Sequence, residues 1–64
     1  MQYKHVVIFD DSLSDAAFCV QFNKCTLALA ISHYRLNNPG AGGLVIVFTG
    51  TEWKFIGYLK DIVV

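Results

Sequence analysis

Apolar residues fall into short runs that punctuation residues divide into five elements. His5-Val6-Val7-Ile8-Phe9 is β-branched and aromatic, and Asp10-Asp11-Ser12 breaks it, which predicts a strand. Phe18, Val20 and Phe22 then alternate with Cys19, Gln21 and Asn23, the period-two pattern of a half-buried strand. A helix beginning at Ser12 competes for these residues, because Ser12-x-x-Asp15 resembles a capping box. Phe18, Cys19, Val20, Phe22, Cys25 and Thr26 are middling or poor helix formers, which favours the strand. Strand and helix both stay open for Asp15 to Asn23; a helix would leave three strands and could itself cover one face of the final hairpin.

With the strand, Thr26 caps a helix running through Leu36, and Leu27, Ala30, Ile31 and Tyr34 share one face at spacings of three and four. Asn37-Asn38-Pro39-Gly40 stops that helix, and Ala41-Gly42-Gly43 leads into a last hairpin. Gly50 suits the first central position of a type II′ turn. The order strand-strand-helix-strand-strand predicts an α+β fold: a small antiparallel sheet with one helix packed on one face, residues 1–64 forming a single domain.

The hairpin from Leu44 to Val64 is apolar on both faces. A Gly50-Thr51 turn sets Phe48 opposite Trp53 and Ile46 opposite Phe55, with Val45 meeting Ile56 on the reverse side. One face suffices to enclose a small core, so the second needs a partner or a covering element. The expected division sends Ile46, Phe48, Trp53 and Phe55 to the core. It leaves Val45, Val47, Ile56 and Tyr58 as anchors for a partner protein, with Lys54 setting orientation. Inverting the division swaps the anchors and keeps the interface. Ile62-Val63-Val64 is a further apolar stretch suited to an edge strand or a dimer seam.

Composition sharpens this picture. The 64 residues are 55% hydrophobic and carry 5 Lys+Arg against 5 Asp+Glu, which argues against disorder and favours association. The balance supplies no basic stripe, so nucleic acid is a disfavoured partner. No apolar stretch reaches the ~20 residues needed to cross a bilayer, so no membrane role is expected. Two cysteines with no secretory signal before them indicate a cytoplasmic protein with reduced thiols.

Chemical motifs weaken on inspection. Phe9-Asp10-Asp11 resembles the strand-end carboxylates that hold magnesium, but the chain is too short for the parallel units such sites need, and Asp10, Asp11 and Asp15 read as a solvated loop. Pro39 to Gly43 follows a helix and has no lysine, unlike a phosphate cradle. His5, Cys19, Cys25 and His33 lack zinc-ligand spacing, and no third residue orients a Cys/His nucleophile pair. Catalytic, cofactor-binding and metal sites are therefore not expected, and the chain is read as a non-enzyme.

Taken as a pattern, the chain resembles very short bacteriophage host-takeover inhibitors. Lys4-His5-Val6-Val7-Ile8-Phe9, the alternating Phe18-to-Phe22 segment, a central helix, and Leu44 to Phe48 leading into a closing hairpin are similar to a phage antitoxin that blocks a messenger-RNA-degrading toxin. Phe18-Cys19-Val20, Thr26-Leu27, Ala30 and the strand after the glycines are similar to a small podophage inhibitor of RNA polymerase. The chain lacks the charged surfaces such inhibitors often use. The resemblance implies an inhibitor that occupies the surface of a host enzyme or defence factor. The alternatives from the residues are a self-associating structural protein, as a homodimer or larger homo-oligomer, and, more distantly, a single-strand nucleic-acid binder stacking bases on aromatics.

Overall fold

The computed structural model describes residues 2–10 and 19–63. Four strands, β1 (Gln2–Asp10), β2 (Cys19–Thr26), β3 (Gly43–Phe48) and β4 (Trp53–Tyr58), form one antiparallel sheet in the order β2-β1-β3-β4. The helix α1 (Leu27–Asn37) lies against β1 and β2. The α+β arrangement expected from the hydrophobic pattern is the one observed. Cys19 to Asn23 is strand, settling that part of the open choice, while 15–18 lies outside the described residues.

Local chemistry fixes the helix ends. Thr26 is the N-cap, its Oγ1 accepting from the Leu29 N–H at 3.1 Å. Asn38 closes the other end, donating to the Tyr34 carbonyl from its backbone at 2.9 Å and its side chain at 3.1 Å. Ala30, Ile31 and Tyr34 are buried, and Leu27 packs at their margin. At the hairpin turn Gly50 takes φ 112°, a value favouring glycine, and Thr49 Oγ1 accepts from the N–H groups of Thr51 and Glu52.

One face of the sheet carries the core. Val6 and Ile8 of β1 pair with Val47 and Val45 of β3, and these four pack with Ala30, Ile31, Tyr34 and Leu59. Leu59 comes from the segment after β4, which folds back: its N–H reaches the Gly43 carbonyl at 2.7 Å. From α1, Arg35 Nη2 donates to the carbonyls of Leu59 and Ile62 at 2.6 and 2.7 Å. The central strands approach closely at Gly43, where φ is 130° and a Cβ would lie 1.8 Å from the Phe9 carbonyl oxygen. Only glycine fits there.

Two irregularities redirect side chains. Lys24, at φ 52°, is the one non-glycine residue in the left-handed region among those described, and there β2 changes which side chains meet the core, from Val20 and Phe22 to Cys25. In the hairpin, Ile46 pairs with Phe55 but Val45 pairs with Gly57, leaving Ile56 as the extra residue of a β-bulge.

Candidate functional site

The face of the sheet opposite α1 is aromatic; among the described residues it is exposed along β4, while Val7 at its centre is buried and His5, Ile46 and Phe48 are half-buried. Along β1, residues alternate, so His5, Val7 and Phe9 point away from Val6 and Ile8. Beside them on β3 stand Phe48, Ile46 and Leu44, and on β4 Trp53, Phe55 and Tyr58. Trp53, Phe55 and Tyr58 expose 53%, 58% and 58% of their surfaces, large values for residues of this size in a folded chain.

The rings order one another. His5 stacks on Phe48 and on Trp53, with centroids 5.8 and 6.2 Å apart and planes 23° and 19° from parallel. Phe48 and Trp53 are 4.9 Å apart across the β3–β4 pair, and Phe55 meets Tyr58 edge-on at 5.7 Å. Each such pair is worth about 0.5–1.5 kcal/mol beyond the area it buries. These contacts restrict the rings, and a surface restricted in this way would lose less entropy in any association.

A polar half adjoins the aromatic one. His5 Nδ1 lies 2.8 Å from Asn23 Oδ1, a contact that requires the Nδ1–H form of the ring, and Gln21 Nε2 donates to the same oxygen at 2.8 Å. His5 therefore joins a strip of carboxamides on β2 to the aromatic stack of β3 and β4. Formal charges lie at the patch's end: Glu52 on the turn and Lys54 on β4 stand 3.7 Å apart in an exposed pair worth little.

The structure redistributes the residues expected to meet a partner. Val45 and Val47 are fully buried under α1 and the returning segment, with 0% exposure, and cannot serve as surface anchors. Ile56 is half-buried against the same core. Lys54 pairs with Val47 but is exposed, because β4 is an edge strand that α1 does not reach. Tyr58 is exposed for a different reason: the bulge at Ile56 carries it to the side of Leu44, Phe55 and Trp53. The division of the hairpin faces is therefore inverted, and Ile46, Phe48, Trp53 and Phe55, expected in the core, form the open face.

The polar alternation of His5, Gln21 and Asn23 was the signal that could have oriented the sheet. Val7 pairs with both Gln21 and Ile46, and His5 with both Asn23 and Phe48, so those polar residues share a face with Phe48 and Ile46.

Other chemistry-bearing residues are dispersed. Asp10, expected in a solvated loop, is 2% exposed, and its carboxylate accepts a hydrogen bond from the buried Tyr34 hydroxyl. Desolvation, then the hydrogen bond and charge of Asp10, push the Tyr34 hydroxyl up to about 12. Asp11 and Asp15 lie outside the described residues. Burial raises the Cys25 thiol, Cys19 is exposed, and His33 on the helix surface meets Phe22 edge-on. Among the described residues no three His, Cys, Asp or Glu side chains gather to hold a metal, and no helix is long and apolar enough to cross a membrane.

No family model matches the chain, and no curated protein or solved structure is significantly similar to it. The resemblance to short phage inhibitors rests on element order and spacing alone.

Proposed function

We propose that the chain is a non-enzymatic protein-binding module of the cytoplasm, docking through the open face of its sheet. The observation that carries this reading is the aromatic surface of Trp53, Phe55 and Tyr58, exposed on one side of a small sheet, with half-buried Phe48 packed against Trp53. Trp and Tyr dominate binding energy where they are desolvated in a complementary pocket. The partner presents an uncharged apolar surface to the rings and hydrogen-bonding groups to Gln21, Asn23 and His5. Occupying such a surface on an enzyme or defence factor inhibits it without chemistry, the mode implied by the resemblance to phage inhibitors.

A face whose described residues carry no formal charge, on a chain with equal numbers of acidic and basic residues, also favours self-association, since a second copy brings little like-charge repulsion. Trp53 is the chain's one tryptophan, so its fluorescence reports on both readings. Sedimentation of the purified chain at micromolar concentrations, with Trp53 emission, separates them. A monomer with red-shifted emission, whose host-lysate partner is retained by the wild type and lost by Phe55→Asp, supports the inhibitor reading. A dimer with blue-shifted emission, dissociated by Phe55→Asp, supports self-association. Identical retention by wild type and Phe55→Asp, with monomers throughout, defeats the assignment of this face.

A further inference from the structure

A cavity of about 600 Å³ opens on the other side of the sheet, where the C-terminal turn of α1 meets the segment after β4. Arg35, Lys60, Pro39, Ala41, Leu59 and Ile62 contribute its walls. Among the described residues that line it, the two charged groups are both cations and none is a carboxylate.

Arg35 is half-buried there. Its Nη2 is fully engaged by the Leu59 and Ile62 carbonyls, which fastens the returning segment to the helix. That clamp uses one nitrogen of three. Nη1 and Nε make no protein hydrogen bond, and the one ion pair among the described residues is Lys54–Glu52. Carbonyl oxygens satisfy donors but do not neutralise charge, so a half-buried guanidinium retains its full attraction for an anion. Lys60, exposed on the turn that follows β4, adds a second positive charge at the same mouth. Gly40 keeps the opposite lip clear: at φ 82° it has no atom within 4 Å of where a Cβ would stand.

We infer that this cavity binds a small carboxylate with an apolar body. The head group takes the free donors of Arg35 and the charge of Lys60, while the body lies on Pro39, Ala41, Leu59 and Ile62. Because Nη2 is occupied, both bidentate edges of the guanidinium are closed, and the head is held by single hydrogen bonds plus electrostatics. The volume exceeds that of a bare anion, so much of the affinity comes from the apolar walls. This site is separate from the aromatic face and does not depend on what that face binds.

The test is a titration of the full chain, followed by backbone amide NMR at low ionic strength, with benzoate and, separately, acetate. Benzoate is expected to saturate at about millimolar concentration and to shift the amides of Ala41, Leu59, Lys60 and Ile62. Acetate, with the same head and almost no body, is expected to bind roughly tenfold more weakly. Lys60→Glu, a change at an exposed turn position, should weaken benzoate by about tenfold while leaving the spectrum of the β1–β3 core unchanged. Arg35→Lys keeps a charge but loses the clamp, and serves to show whether the fold survives there. The inference is overturned by equal affinities for acetate and benzoate, by no saturation, by shifts centred on Phe48 and Trp53, or by benzoate binding that Lys60→Glu leaves intact.

Discussion

Val47 and Phe48 are neighbours on one strand and have opposite fates. Val47 is wholly buried, while Phe48 lies on the open face beside Trp53, which is 53% exposed. Hydrophobicity does not separate the two faces of this sheet, since the open one carries the larger side chains. Coverage does. Among the described residues, an 11-residue helix reaches β1 and β2 and the returning segment fills in beneath β3, all on one face, while on the other the β4 side chains stay exposed. The enclosed face is built from β-branched residues that lie flat under a helix: Val6, Ile8, Val45 and Val47. Phe48, Trp53, Phe55 and Tyr58 lie on the other face, where Trp53, Phe55 and Tyr58 keep more than half of their surface exposed.

Both faces depend on the β1–β3 seam, so the severest way to break the comparison is to part those strands. Gly43→Ala places a methyl group 1.8 Å from the Phe9 carbonyl oxygen, an overlap that only separation of the backbones relieves. The expected loss exceeds about 4 kcal/mol, comparable to the whole stability of a core this small, and circular dichroism should find the chain unfolded. A folded, cooperative Gly43→Ala protein would mean the seam is not what holds the sheet.

Next comes a matched pair on the seam's two sides. Ile8→Ala opens a void in the enclosed face and should cost about 2–5 kcal/mol in urea unfolding. Ile46→Ala, on the opposite face, removes the same atoms from a half-buried position beside Val7 and should cost less, about 1–2 kcal/mol. Equal losses would show that the open face is also packed against something, and the distinction between the faces would fail.

How far the chain was legible follows from sequence distance. The hairpin pairs Phe48–Trp53 and Ile46–Phe55 and the Thr26 cap were readable because each is set by residues a few positions apart. Which hairpin face is buried depends on pairing β3 with β1, more than 30 residues away, and on the helix choosing a side. Neither is written in the hairpin. The bulge at Ile56 was equally hidden: Phe55-Ile56-Gly57 gives no local reason to place Tyr58 on the aromatic side, apart from a glycine that tolerates φ 155°. Asp10 escaped because a strand-end aspartate followed by Asp11 and Ser12 looks solvated, whereas the Tyr34 hydroxyl reaches it from the helix.

That buried pair gives the covered face a pH dependence. The Tyr34 hydroxyl stands near 12 in the folded protein against about 10 when unfolded. Because the folded value is the higher one, the contribution is fully present below pH 10 and is lost as pH rises from about 10 through 12. Tyr34→Phe leaves the Asp10 carboxylate with one donor fewer and should cost about 1–3 kcal/mol at neutral pH. Its unfolding free energy should also fall less steeply over that alkaline interval than the wild type's. Parallel curves for the two proteins would remove Tyr34 from the account.

The smallest effect on stability is expected where the proposed effect on binding is largest. Phe55 is 58% exposed, and its ring touches Tyr58 at the sheet's edge. Phe55→Asp removes one aromatic contact and places a charge in solvent, so the urea midpoint should move by no more than about 1 kcal/mol equivalent. On the open face that charge must be desolvated by any apolar surface that docks, a penalty of several kcal/mol that ordinary interface rearrangement does not offset. Loss of a partner or of a dimer without loss of the fold is the signature of a contact surface. If Phe55→Asp unfolds the chain as readily as Ile8→Ala does, the aromatic face is a second core and the comparison between the faces collapses.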